Sequence, residues 1–76
     1  MYYIIREFKS EDEPDTLRFH LMSHSELSKD GAVTSKYYVW DKLKAATAYC
    51  ARLQHEDKLG HKFEVVATED YGIEVR

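Results

Sequence analysis

The side chains of this 76-residue sequence best suited to metal or nucleophilic chemistry are its four histidines and single cysteine. His20 and His24 stand four apart, but they fall on strand-like alternation and the loop after it, so helical ligand spacing does not apply. His55 and His61 bracket the end of a helical stretch, with Glu56 and Asp57 between them and Cys50 about a turn and a half earlier. A zinc site needs three or four ligands converging tetrahedrally, and no finger or ribbon spacing is present. Cys50 falls on an apolar helical stripe, where it reads as a small core residue. His55 reads as a surface group near the negative end of the helix, and His61 as a turn residue. Ser23-His24-Ser25 has neither a nucleophile elbow nor an orienting carboxylate motif beside it. The three glycines are isolated, so they form no phosphate cradle. The expectation is a protein that is not an enzyme and holds no metal or cofactor.

Two other sets of residues suit binding. Glu11, Asp12, Glu13 and Asp15 crowd one short stretch around Pro14, the only proline. Such clustered carboxylates either keep a hairpin loop solvated or steer a basic partner surface onto it. The second set is Arg18, His20, Lys36, Tyr38 and Trp40, which strand alternation places on the side of a sheet away from any helix. Tyr, Trp and Arg there suit a protein hot spot. The alternative is single-stranded nucleic acid, stacked on Tyr38 and Trp40 and neutralised by Arg18 and Lys36. Net charge speaks against that alternative, since 11 basic residues face 14 acidic ones. Without the acidic stretch the balance is eleven bases against ten acids, +1, far from the basic surface that counterion release requires.

The elements that must position these residues follow from periodicity. Residues 2–8, Tyr-Tyr-Ile-Ile-Arg-Glu-Phe, are β-branched and aromatic and predict a strand. Residues 10–15 are polar and turn-like, and residues 16–22 alternate, with Leu17, Phe19 and Leu21 on the side expected to face a helix. The two strands form a hairpin. A connection ending at Asp30-Gly31 leads to a third strand, 32–40, with Val33, Tyr37 and Val39 inward. Asp41 is the expected N-cap of a helix from Lys42 to about Leu59. Leu43, Ala46, Cys50 and Leu53 form its apolar stripe, and Gly60 suits the left-handed position just past its end. Residues 62–68 predict a strand with Phe63, Val65 and Ala67 inward. After a turn at 69–72, Ile73 and Val75 suggest a short edge strand. The whole, 1–76, reads as one α+β domain in the order β-β-β-α-β-β, an antiparallel sheet with one helix on one face.

One helix cannot cover both faces of such a sheet. Met22, Tyr38, Trp40, Val66 and one alternation of the first strand should therefore lie on an open apolar face, available to a partner or to a second copy of the chain. Ten aromatic residues and 43% apolar content are enough for a small core. A single cysteine rules out an internal disulfide. The opening residues lack signal-peptide order, and no apolar run approaches the ~20 residues of a membrane span. A cytoplasmic protein with no membrane role is the expectation.

The Tyr2-Tyr3-Ile4-Ile5-Arg6-Glu7-Phe8 opening, the single helix after Tyr37-Tyr38-Val39-Trp40-Asp41 and the closing Phe63-Glu64-Val65-Val66 strand resemble small accessory proteins of phages and other mobile elements, anti-CRISPR proteins among them. That resemblance implies a stoichiometric inhibitor or modulator of a host protein, and it transfers no functional residue. Three strands before a helix are also similar to the small DNA-binding domains of tyrosine recombinases and plant AP2 regulators. Those domains lay a basic sheet face in the major groove. Here Arg18 and Lys36 are too few for that, and further strands follow the helix.

Overall fold

The computed structural model describes residues 1–22 and 39–73. They form an α+β unit: β1 (Tyr3–Phe8), β2 (Thr16–His20), α1 (Leu43–Glu56), β3 (Lys62–Ala67) and a 3-10 turn (Thr68–Tyr71). The sheet is antiparallel in the order β2-β1-β3, so β1, the most buried strand, is central. The expected third strand lies outside the described residues except at its end. There Trp40 makes an isolated antiparallel bridge to Tyr3, with backbone bonds of 2.8 and 3.0 Å. The expected edge strand at Ile73 and Val75 also falls outside them, beyond Ile73.

Register decides which side chains share a face, because side chains alternate along a strand. Ile5 is opposite Val65 and His20, and Glu7 is opposite Phe63 and Arg18. The helix-side core consists of Ile5, Trp40 and Ala46, with Tyr3, Met22, Cys50, Leu53, Phe63 and Val65 packed against it. Phe63 and Val65 thus face the helix as expected, and so do Tyr3 and Ile5 of β1.

The expectation for β2 is reversed. Arg18, His20 and Met22 share the helix-side face, while Phe19 pairs with Arg6 on the opposite one. The register shift between Glu7 and Phe8 leaves Leu17 without a Cα partner. A bulge of this kind changes which residues pair, and a one-residue slip exchanges the two faces of a strand. Trp40 is corrected in the same way. It is 7% exposed, in the helix-side core, with its ring 5.2 Å from that of Tyr49.

Nor is the opposite face open. Ile4, Phe8 and Val39 are buried there or beside it, Ile4 completely. Two arrangements within the chain contribute to this. After β3 the 3-10 turn begins at Thr68, whose amide bonds the Tyr2 carbonyl, and its Tyr71 ring packs edge-on against Phe19 of β2, centroids 5.1 Å apart. At the other end the Arg6 guanidinium lies 4.3 Å over the Phe8 ring, held by Thr16 Oγ1 and an ion pair with Glu64. The open apolar face expected from the single helix is therefore closed at the centre of the sheet, and its proposed members Met22 and Trp40 are core residues. Tyr38 and Lys36 lie outside the described residues.

The helix starts one residue later than expected. Lys42, in extended conformation, is the N-cap, and it makes no side-chain cap bond. Trp40 is fixed to Tyr3 in the bridge, which leaves Asp41 outside the position from which a carboxylate can accept the first free amides. The helix ends at Glu56, three residues early, where Asp57 turns to an extended conformation. Gly60 does adopt the left-handed conformation, φ 74°, in the turn that follows.

Candidate functional site

The acidic residues fall into two groups with opposite surroundings. Glu7 points to the helix side from the central strand, and its side chain is 5% exposed. Burial is the largest influence on it and acts to raise its pKa. Bonds from His20, His61 and Arg18 together outweigh burial and take the pKa from an ordinary 4.5 down to about 2. Oε1 accepts from His20 Nε2 at 2.8 Å and from Arg18 Nε at 3.1 Å, while Oε2 accepts from His61 Nδ1 at 3.0 Å. An ionised carboxylate can only accept, so both imidazoles donate the nitrogen that faces it.

Two segments supply these donors. His20 and Arg18 come from β2, and the His20 ring rests 5.5 Å from Phe63. His61 comes from the connection between α1 and β3, where the helix end grips it. Its N–H donates to Asp57 Oδ2 at 2.8 Å, and its carbonyl accepts from Gln54 Nε2 at 2.8 Å. The Gln54 side-chain oxygen also accepts the Phe63 amide, at 3.3 Å. No buried side-chain nitrogen or oxygen among the described residues is left without a partner. The two imidazoles engage opposite oxygens of one carboxylate, and among the described residues no three His, Cys, Asp or Glu side chains converge as a metal ion requires. Cys50 is half-buried, and burial first, then Glu64, raises its thiol pKa.

The second group is the tip of the β1–β2 hairpin. Glu11, Asp12, Glu13 and Asp15 are all exposed. The turn beneath them is built by Ser10: the Glu13 amide donates to the Ser10 carbonyl and hydroxyl, both at 3.1 Å, and the Ser10 amide returns a bond to Glu13 at 3.4 Å. Among the described residues the only ion pair at the tip joins Glu13 to Lys9, 3.4 Å and exposed on both sides.

Of the residues expected to bind a partner, the structure brings Glu11, Asp12, Glu13 and Asp15 together at this tip. It separates Arg18, His20 and Trp40 from them: the first two serve Glu7, and the third fills the core. Glu7 was not singled out from the sequence, and His61 was read only as a turn residue, although one signal for Glu7 was available. If Tyr3 and Ile5 face the helix, alternation places Glu7 inward as well, and a buried carboxylate requires donors. No helix among the described residues is long and apolar enough to cross a membrane. No family model, curated protein or solved structure matches this chain.

Proposed function

We propose that this protein is a non-catalytic binding module whose hairpin tip engages a basic surface on a partner protein. The observation that carries this reading is the tip itself, where four exposed carboxylates stand on a turn already tied by three hydrogen bonds. A rigid anionic loop loses little conformational freedom on docking and raises the encounter rate with a cationic groove. A partner whose groove normally holds nucleic acid suits this chemistry, in keeping with the inhibitor role that the resemblance to mobile-element proteins implies. The single-stranded nucleic-acid alternative loses support from two of its residues, because Trp40 is buried and Arg18 is bonded to Glu7. Dimerisation through an open sheet face loses Trp40 from its expected platform, because that ring is buried.

The test is capture from nuclease-treated bacterial lysate by the native chain and by a tip variant carrying Glu11→Gln, Asp12→Asn, Glu13→Gln and Asp15→Asn. The native chain should retain a nucleic-acid-processing protein, with retention falling as salt rises, and the variant should not. Equal retention by both would exclude the tip as the contact.

A further inference from the structure

The bridge at Trp40 bears on how the sheet is assembled. On one side of β1, Tyr3 pairs with Ala67 of β3. Trp40 exchanges both backbone bonds with the same Tyr3, so it stands on the other side, the one that β2 takes further along. Both pairings are antiparallel, and Trp40 and β2 therefore run in one direction along that side. His20 is opposite Ile5, and Trp40 is opposite Tyr3. A single position lies between them, opposite Ile4, and Val39 precedes Trp40 by one residue. Alternation fits at all three places. His20 reaches Glu7 and Trp40 enters the core on the helix side, which assigns the buried Val39 to the side of Ile4.

We infer that β2 and the pair Val39 and Trp40 are two pieces of one edge strand, and that residues 21–38 are an insertion into it on which the fold does not depend. Two strand positions, about 7 Å, separate His20 from Trp40. A segment whose ends are fixed that close together changes its closure cost only slowly with length. Of the expected strand at 32–40, only the last two residues have a place beside β1, because His20 already fills the next one. The described elements pack on one another without the segment: β1 on β2 and β3, and α1 on β1 and β3. Of its two described residues, Leu21 and Met22, only Met22 packs against the helix-side core. This holds whatever the tip binds.

Three shortened chains test it, with Trp40, the only tryptophan, as the reporter of the core. The first joins His20 to Val39, which returns Trp40 to its place opposite Tyr3. It should unfold cooperatively in urea, with a midpoint within about 1 M of the native chain, and keep the native emission wavelength of Trp40. The second keeps Leu21 and Met22 and replaces 23–38 with Gly-Ser-Gly-Ser-Gly, so that loss of Met22 does not decide the result. Its midpoint should be at least as high as that of the first. The third joins His20 to Trp40 and is one residue shorter than the first. A one-residue slip turns Trp40 to the other face, so its emission should move toward that of exposed indole and its midpoint should fall well below the first. A second chain without a cooperative transition would overturn the insertion, because the fold would then need the segment. Equal midpoints and emission for the first and third, folded or not, would overturn the single strand, because register would then count for nothing.

Discussion

Glu7 and the hairpin tip lie at opposite limits for a carboxylate, although only a few residues separate them. Glu7 is nearly inaccessible, and three donors from two regions of the chain surround it. The tip carboxylates are exposed, and only Glu13 has an ion-pair partner among the described residues. The difference follows from where each falls on the hairpin. Glu7 occupies an inward position of the central strand, where an uncompensated charge would cost several kcal/mol, so the fold must bring donors to it. Residues 11–15 belong to the turn, where water solvates charge at little cost. The first group ties β1, β2 and the end of α1 together, and the second leaves its charge available to something outside the molecule.

The largest effect expected from breaking this contrast is that of Glu7→Gln. The amide offers one acceptor where two served, and it points a donor at imidazole nitrogens that also donate. Loss of about 3 kcal/mol is expected, seen in urea unfolding as a lower midpoint with an unchanged slope. For a domain of this size the melting temperature should fall by roughly 15 °C. His61→Ala should cost less, about 1–2 kcal/mol, because it removes the donor on Oε2 and leaves both donors on Oε1. Its far-UV circular dichroism should match that of the native chain, since β3 and α1 are joined independently through Gln54. The smallest effect on stability is expected from the tip variant with all four acids neutralised, within about 0.5 kcal/mol of the native chain. If that variant unfolds as readily as Glu7→Gln, the tip is structural and the contrast fails.

Much of the fold was legible in the sequence because local patterns and tertiary demands agree there. The aromatic and β-branched run of β1, the hairpin, Ala46, Cys50 and Leu53 of the α1 stripe and the inward Phe63 and Val65 of β3 fall where periodicity places them. Leu43, the first residue of the expected stripe, is instead 52% exposed, and Gly60 is left-handed but four residues beyond the helix end. The face of β2 did not follow periodicity either. Leu17, Phe19 and Leu21 alternate cleanly, but the bulge at Leu17 and the polar region around Glu7 give the helix side to Arg18 and His20 instead. The Phe19–Tyr71 contact was equally hidden, since it depends on a 3-10 turn that brings Tyr71 from beyond β3 to β2. Glu7 and His61 meet across 54 positions of sequence, a separation that no local pattern reports. Asp41 was displaced by a single residue, because the bridge at Trp40 fixes the backbone just before it. The acidic tip could be read correctly because exposure at a turn requires no knowledge of the rest of the molecule.

The ionised, clamped state of Glu7 has a definite sign in its effect on stability. A folded-state pKa near 2 against an ordinary 4.5 means that its contribution, about 3 kcal/mol, is fully present above the higher value and disappears as pH falls through the lower one. The most direct measurement is a carbon-13 NMR titration of the Glu7 side-chain carboxyl in the folded protein. Its chemical shift should stay constant from pH 7 to about 3 and move only near pH 2. A Glu7 carboxyl that titrates at pH 4 or above would mean that the histidine and arginine donors do not hold it, and the division between a clamped and a solvent-exposed group of acids would fail with it.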